Sequence, residues 1–160
     1  MDNAYGIQLR QPLPGDLIGN RLTVAAIGTA FEASYGWKLT FVDATIAEGS
    51  FQAGSMGLME SFVHEEPLTL HGAGEAVFGL FGEDPSGQHH PGLHHVQVPV
   101  VLIPGMRGYV VHQVVSGDTL SEIALRHGST VEHIATANGI RDPDLIRVGQ
   151  VLRVPVPGHG

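Results

Sequence analysis

Apolar and polar positions alternate through much of the first hundred residues. Leu22, Val24 and Ala26 flank Thr23 and Ala25, and Trp37, Leu39 and Phe41 flank Lys38 and Thr40. Val96, Val98 and Val100 repeat the spacing around Gln97. A period of two carried by β-branched and aromatic residues predicts half-buried strands. Turn-forming residues punctuate the pattern at Pro14-Gly15-Asp16, Ile18-Gly19-Asn20, Glu48-Gly49, Gly54-Ser55-Met56-Gly57, Gly72-Ala73-Gly74 and Asp84-Pro85-Ser86-Gly87.

Near residue 105 the period changes. Ile103 to Gly108 reads as a short linker, and the order beyond it is strand, helix, helix, strand. Val110, Val111, Val114 and Val115 supply the first extended segment. Thr119 with Glu122 three positions later forms a capping box, and Leu120, Ile123, Ala124 and His127 share one helical face. Gly128 occupies the position of a helix-ending glycine. Ser129-Thr130-Val131-Glu132 offers a second capping box, after which Val131, Ile134, Ala135 and Asn138 face inward until Asn138-Gly139 ends the helix. Val148-Gly149-Gln150 turns into a last strand at Val151 to Val154, closed by Pro155.

Composition narrows the class. The 160 residues are 42% apolar and only 15% charged, which suits a folded chain. Cysteine is absent, so apolar burial must stabilise the fold without disulfides or thiolate chemistry. The net charge of −8 lies in the first 104 residues, where three basic side chains face eleven acidic ones; from residue 105 onward five arginines balance five acids. Neither part carries a basic stripe, which argues against nucleic acid as a partner. No stretch has the length of a membrane span. Met1-Asp2-Asn3-Ala4-Tyr5 is not a basic segment followed by an apolar run, so no signal peptide is read there. The expectation is cytoplasmic synthesis with the cell envelope or a particle as destination.

Several motifs in the C-terminal third recur together. Ser116-Gly117-Asp118-Thr119-Leu120, Ile123-Ala124, Asn138-Gly139-Ile140 and the run from Ile146 to Pro155 resemble a LysM domain, with spacing intact over the whole module. His112 stands where that family often has Tyr. The resemblance implies a small α+β fold of βααβ order, and binding of N-acetylglucosamine-containing polymers, peptidoglycan or chitin. It places the sugar in a shallow groove between two loops. One loop is Gly117, Asp118, Thr119 and Leu120; the other is Ile140, Arg141, Asp142, Pro143, Asp144, Leu145 and Ile146. Leu120, Ile140 and Leu145 suit an apolar pocket for N-acetyl groups, and Arg141, Asp142 and Asp144 suit hydrogen bonds to sugar hydroxyls. The same residues also have folding roles. Gly117-Asp118-Thr119 makes a turn and helix cap whether or not sugar binds, Leu120 and Ile140 suit a core, and Asn138 suits the end of a helix. Neither loop has an aromatic residue to stack on a sugar, so a single module is expected to bind weakly and to gain from multiple copies.

The N-terminal pattern of about seven short strands fits an immunoglobulin-like β-sandwich. Ile7, Pro12-Leu13-Pro14-Gly15-Asp16, Leu22-Thr23-Val24 and Gly28-Thr29-Ala30-Phe31-Glu32-Ala33 resemble the immunoglobulin-like domain of bacterial spore germination proteins. Trp37, Ala47-Glu48-Gly49, Phe62 and Val96-Gln97-Val98-Pro99-Val100 extend the likeness. That resemblance implies adhesion or scaffolding, a bacterial source and no catalytic role; Glu32 reads as a strand-end carboxylate accepting turn N–H groups. The expected division is 1–103 for the sandwich, 104–108 for the linker, 109–156 for the LysM module and 157–160 for a tail.

His89-His90-Pro91-Gly92-Leu93-His94-His95 puts four imidazoles around a Pro-Gly turn. Such a tract either binds Zn²⁺ or Ni²⁺ across a hairpin or is an exposed loop tip, and the loop tip is favoured because no cysteine completes a structural site. No metal and no cofactor is therefore assigned. The sequence has no nucleophile elbow, HExxH helix or phosphate-cradling glycine loop, and its carboxylates are scattered among turns. Binding rather than catalysis is expected. Two settings remain: a glycan binder of the cell envelope, or a structural component of a phage-tail-like or contractile injection particle that uses the LysM fold for protein contact. Either setting admits protein partners or self-association through the sandwich, whose edge strands suit strand addition.

Overall fold

A computed structural model describes residues 7–28, 34–53, 59–82 and 95–157. The turns expected at Gly54–Gly57 and Asp84–Gly87, the Thr29–Ala33 motif and His89 to His94 lie outside those residues. In chain order the strands are β1 (Gln8–Gln11), β2 (Leu17–Ile18), β3 (Arg21–Gly28), β4 (Ser34–Phe41), β5 (Ala44–Gln52), β6 (Glu60–Pro67), β7 (Gly74–Gly82), β8 (His95–Leu102), β9 (Met106–Gln113) and β10 (Val151–Pro157). Two helices, α1 (Leu120–His127) and α2 (Val131–Asn138), lie between the last two strands. The chain forms two compact units. One comprises Met1–Asp16, Leu22–Glu66 and Glu75–Val100, the other Leu17–Arg21, Pro67–Gly74 and Val101–Gly160.

The N-terminal architecture is an all-β sandwich. Its sheets have the orders β1-β3-β6 and β2-β8-β7-β4-β5. Eight strands are described where about seven fit the pattern, the additional one being the two-residue β2. The alternation read from the sequence holds: Leu22, Val24 and Ala26 of β3 are buried, as are Trp37 and Leu39 of β4. Aromatic rings join the two sheets, with the Phe62 ring of β6 lying 4.7 Å from Tyr35 of β4 and 5.7 Å from Phe51 of β5. The Trp37 indole N–H donates to Glu66 Oε2 at 2.9 Å, so the polar edge of the largest core side chain is satisfied from the opposite sheet. Gly49 lies opposite Trp37 in the β4–β5 register, where a Cβ would come within 2.8 Å of the indole nitrogen. The absence of a side chain lets the ring lie across β5.

The β4–β5 hairpin turns on Val42 and Asp43, both at positive φ (49° and 62°). Two consecutive positive-φ residues match the twist of the flanking strands. Asn and Gly favour that conformation, whereas a β-branched residue strains it. No turn-forming pair marks this position, and the sequence pattern did not reveal it.

The second unit is the βααβ module together with two earlier segments. β9 and β10 pair antiparallel from Gln113↔Val151 to Met106↔Pro157. Met106 to Gly108, expected as part of a linker, thus belong to β9, and the last strand runs past Pro155 to Pro157. The reason lies in packing. Met106 is buried with Ile103 and Ala137, and Leu17 and Val101 pack against the same cluster. Backbone bonds hold the earlier segments in place: Ile103 N–H donates to Ile18 O (2.8 Å), Asn20 N–H to Met106 O (2.7 Å) and Leu68 N–H to Asn20 O (2.7 Å). Gly19 passes so close to Met106 that a Cβ would collide with the Met106 carbonyl.

The main core of this unit joins Val114, Leu120, Ile123, Ala124, Ile134, Leu152 and Val154. Thr119 caps α1 by accepting the Glu122 N–H, and Gly128 ends it at φ 71°. The second cap is Thr130, not Ser129: its hydroxyl accepts the His133 N–H, while the Ser129 N–H closes the previous helix on Ala124 O. The backbone of Ser129 ends α1, and the hydroxyl that caps α2 comes from the next residue. α2 buries Ile134 in one cluster and Ala137 in the other, so its inward face is wider than the stripe of Val131, Ile134, Ala135 and Asn138.

Relieving the hairpin strain gives a direct check. Val42→Asn is expected to stabilise the sandwich by about 1 kcal/mol, read as a higher urea midpoint in the fluorescence of Trp37, the chain's one tryptophan.

Candidate functional site

Two loops of the βααβ module meet at one backbone junction. Val114, which enters the first loop, donates its N–H to Gln150 O (2.8 Å) and accepts the Gly149 N–H (2.7 Å) from the end of the second. Leu120 from the first loop and Ile140 and Ile146 from the second pack on the same apolar cluster. The structure therefore brings the two predicted segments together.

Within the first loop, Asp118 acts on its own backbone. Its Oδ2 accepts the Val115 N–H at 2.9 Å and lies 2.9 Å from His112 Nε2, while the Asp118 N–H donates back to Val115 O at 3.1 Å. The Val115 N–H, then the His112 contact, hold this carboxyl below the usual aspartate range against the opposing effect of burial, and the charges of His112 and Arg126 add to the lowering. Its side chain is only 7% exposed. Gly117 adopts φ 90°, which a residue with a side chain rarely takes. Thr119 is engaged as the helix cap. Leu120 is 2% exposed and belongs to the core, with almost no surface to offer a ligand.

The second loop also holds itself. The Asp144 N–H donates to Asp142 Oδ1 (3.0 Å), the Leu145 N–H to Asp142 O (3.0 Å) and the Arg147 N–H to Gln150 Oε1 (3.0 Å). Ile140 and Ile146 are half-buried, whereas Arg141, Asp142, Pro143, Asp144 and Leu145 are exposed. Leu145 is 72% exposed, and so is much of Val148 (70%) and Val115 (56%) beside the same junction. Sequence reasoning missed these two valines, because each sits at a strand or turn position where valine ordinarily packs inward.

Asn138 has a purely architectural role in this structure. Its amide donates to Ile134 O and Arg153 O, both at 2.7 Å, and its Oδ1 accepts the Arg153 N–H at 2.8 Å. One side chain thus closes α2 and pairs with the backbone of β10. A depression lined by Arg107, Gly108, His127, Gly128, Val156 and Pro157 includes none of the loop residues. Of the histidine tract only His95 is described; its Nε2 is buried without a partner among the described residues, and burial, then the Lys38 charge, push its pKa down. Among the described residues no group of three or more His, Asp or Glu side chains is placed to hold a metal ion. No described helix is long and apolar enough to cross a membrane.

Comparison with known proteins decides the identity of this module. The family model of the LysM domain matches residues 112–155. Those residues are a LysM domain. The chain is similar to the N-acetylmuramoyl-L-alanine amidase XlyA of Bacillus subtilis, 53% identical over 53 residues, covering 33% of this chain and 17% of that protein. It is also similar to the secreted LysM effector slp2 of Pyricularia oryzae, 50% identical over 46 residues, covering 29% of this chain and 16% of the effector. The amidase XlyB of Bacillus subtilis is 46% identical over 44 residues, or 28% and 14% of the two chains. The chain spans less than a fifth of the length of each of these relatives. The likeness to the amidases covers the LysM region only. Among solved structures, the CARDB domain of the PF1109 protein from Pyrococcus furiosus is 12% identical, covering 62% of this chain and 90% of that one, with a TM-score of 0.36. A match that distant carries no argument about the sandwich.

Two outcomes follow from the LysM geometry. Asn138→Ala strips partners from both backbone groups of Arg153 and is expected to cost about 2–3 kcal/mol, measured by chemical denaturation. Asp118 sets a pH dependence. Its folded carboxyl holds its proton less tightly than the unfolded one, so its contribution is full above the ordinary aspartate range and is lost as pH falls through the lowered folded value. The difference in melting temperature between the wild type and Asp118→Asn should shrink between about pH 5 and pH 2.

Proposed function

We propose that this chain is a non-catalytic carbohydrate-binding protein, its LysM domain holding peptidoglycan or chitin while the immunoglobulin-like sandwich serves as scaffold or adhesion domain. One observation carries the reading: both predicted loops are fastened at Val114, yet leave Arg141, Asp142, Pro143, Asp144 and Leu145 open to solvent. A surface whose backbone is self-satisfied and whose side chains remain exposed is ready to meet a ligand without reorganising. Leu145 and the exposed Val115 and Val148 offer apolar surface to N-acetyl methyl groups, and Arg141, Asp142 and Asp144 offer donors and acceptors to hydroxyls. Gly117, Asp118 and Thr119 shape the first loop, Leu120 anchors it from below, and Ile140 and Ile146 anchor the second. The lack of a stacking aromatic is consistent with low affinity per module and with binding through several copies.

A second reading is a structural role in a particle or other assembly, with the LysM fold making protein contacts. The two-stranded β9–β10 ribbon favours it. Neither strand pairs with a third among the described residues, and Val111 and Val151 are 66% and 62% exposed. Asn138 already occupies the β10 backbone at Arg153, so a neighbouring chain would meet the ribbon through these exposed valines.

Co-sedimentation of the full chain with insoluble peptidoglycan and with chitin separates the two. Retention on one polymer, weakened at least about tenfold by the loss of roughly 1.4 kcal/mol in a folded Arg141→Ala/Leu145→Ala variant, is the expected result. No retention on either, with a large species in light scattering, supports the assembly reading instead.

A further inference from the structure

We infer that His112 is a positioning residue for the first ligand loop, holding Asp118 so that the Gly117–Thr119 turn keeps the shape that meets the glycan. The inference rests on the glycan-binding reading of the LysM domain. His112 stands on β9, paired with Leu152 of β10, and only 15% of its side chain is exposed. Its Nε2 reaches the same Asp118 oxygen that clamps the Val115 N–H. That oxygen is therefore the point where strand, loop and turn converge. The imidazole is in turn braced by His127 at the end of α1, the ring centroids 6.0 Å apart and the planes at 67°. Arg126 of the same helix acts on Asp118 by charge.

The arrangement explains why a side chain of this length and donor capacity is needed on β9. The Asp118 carboxylate is largely withdrawn from water, and one backbone N–H does not fill its acceptor capacity. Without a second donor it would turn outward to solvent, releasing Val115 and opening the loop. Hydrogen bonds to an ionised partner are the stronger kind, so one such bond suffices to bias a short exposed turn. His112 does not touch the ligand in this scheme. It acts through Asp118, and Asp118 acts through the turn.

The chemistry fixes the tautomer. A bare Nε2 lone pair 2.9 Å from a carboxylate oxygen is repulsive, so Nε2 carries the proton and donates it. Imidazole ¹⁵N spectra of the unmodified chain test this directly: a protonated Nε2 is expected, and a bare Nε2 with the proton on Nδ1 overturns the inference whatever the variants do. Two substitutions test the consequence. His112→Gln keeps a donor of similar reach, whereas His112→Phe keeps a ring and loses the donor. The expected result is wild-type-like glycan retention for the first and about tenfold weaker retention for the second, the size of one lost charged hydrogen bond. Both are to be compared at matched folded fractions. Equal retention by both variants would show that the loop does not need the bond. Amide hydrogen exchange at Val115 is read on the same samples without glycan. Faster exchange in His112→Phe, restored in His112→Gln, supports the positioning role even where the wild type retains no glycan, in which case the binding reading alone has failed. Unchanged exchange in His112→Phe overturns the inference.

Discussion

Helices of eight residues do not persist in water by themselves, because the cost of nucleating the first turn is recovered only over longer runs or by packing. Both helices of the LysM domain are that short, and no disulfide supports them. Their stability must come from being held at the ends and covered on one side. The caps Thr119 and Thr130, the glycines Gly128 and Gly139, and the covering strands β9 and β10 answer this single constraint. Asn138 ties the solution together, because its one amide finishes α2 and forms two bonds to the backbone of the covering strand. The two candidate loops are the crossings between helix and strand, so whatever fastens the helices also fixes the loops.

That dependence explains which sequence signals were legible. Caps, helix-ending glycines and the inward faces of α1 are local features, and they were readable from residue types at fixed spacing. The strand faces around Val24 and Trp37 were readable for the same reason. What escaped reading was non-local. The parallel pairing of Leu17-Ile18 with Val101-Leu102 joins segments far apart in sequence, and two residues are too few to show a period. The hairpin at Val42-Asp43 contradicts turn preference, so preference pointed elsewhere. The cap of α2 fell on Thr130, whose hydroxyl lies against the His133 N–H, because the one residue between the caps Gly128 and Thr130 sets where the second helix starts, and spacing alone does not show that.

The candidate site divides along the same line. The order of the loops was visible in the motifs, but the distinction between residues that hold a loop and residues that face outward was not. Leu120 and Asp118 belong to the first kind, one by burial and the other by bonding to its own backbone. Arg141 to Leu145 belong to the second. A motif records both kinds in one string, because a loop that must present a surface needs residues behind it as much as residues upon it.

The cluster of Ile103, Met106 and Ala137 has a consequence for how this LysM domain is handled as a unit. Leu17 packs on it, and the Asn20 backbone bonds to Met106 and Leu68, so part of the cover of α2 comes from residues well upstream of the family match. A fragment cut to residues 112–155 would present bare methyl groups where the intact chain has neighbours. The domain reads in sequence as a cassette, but here its second helix is also covered by an upstream segment of the same compact unit.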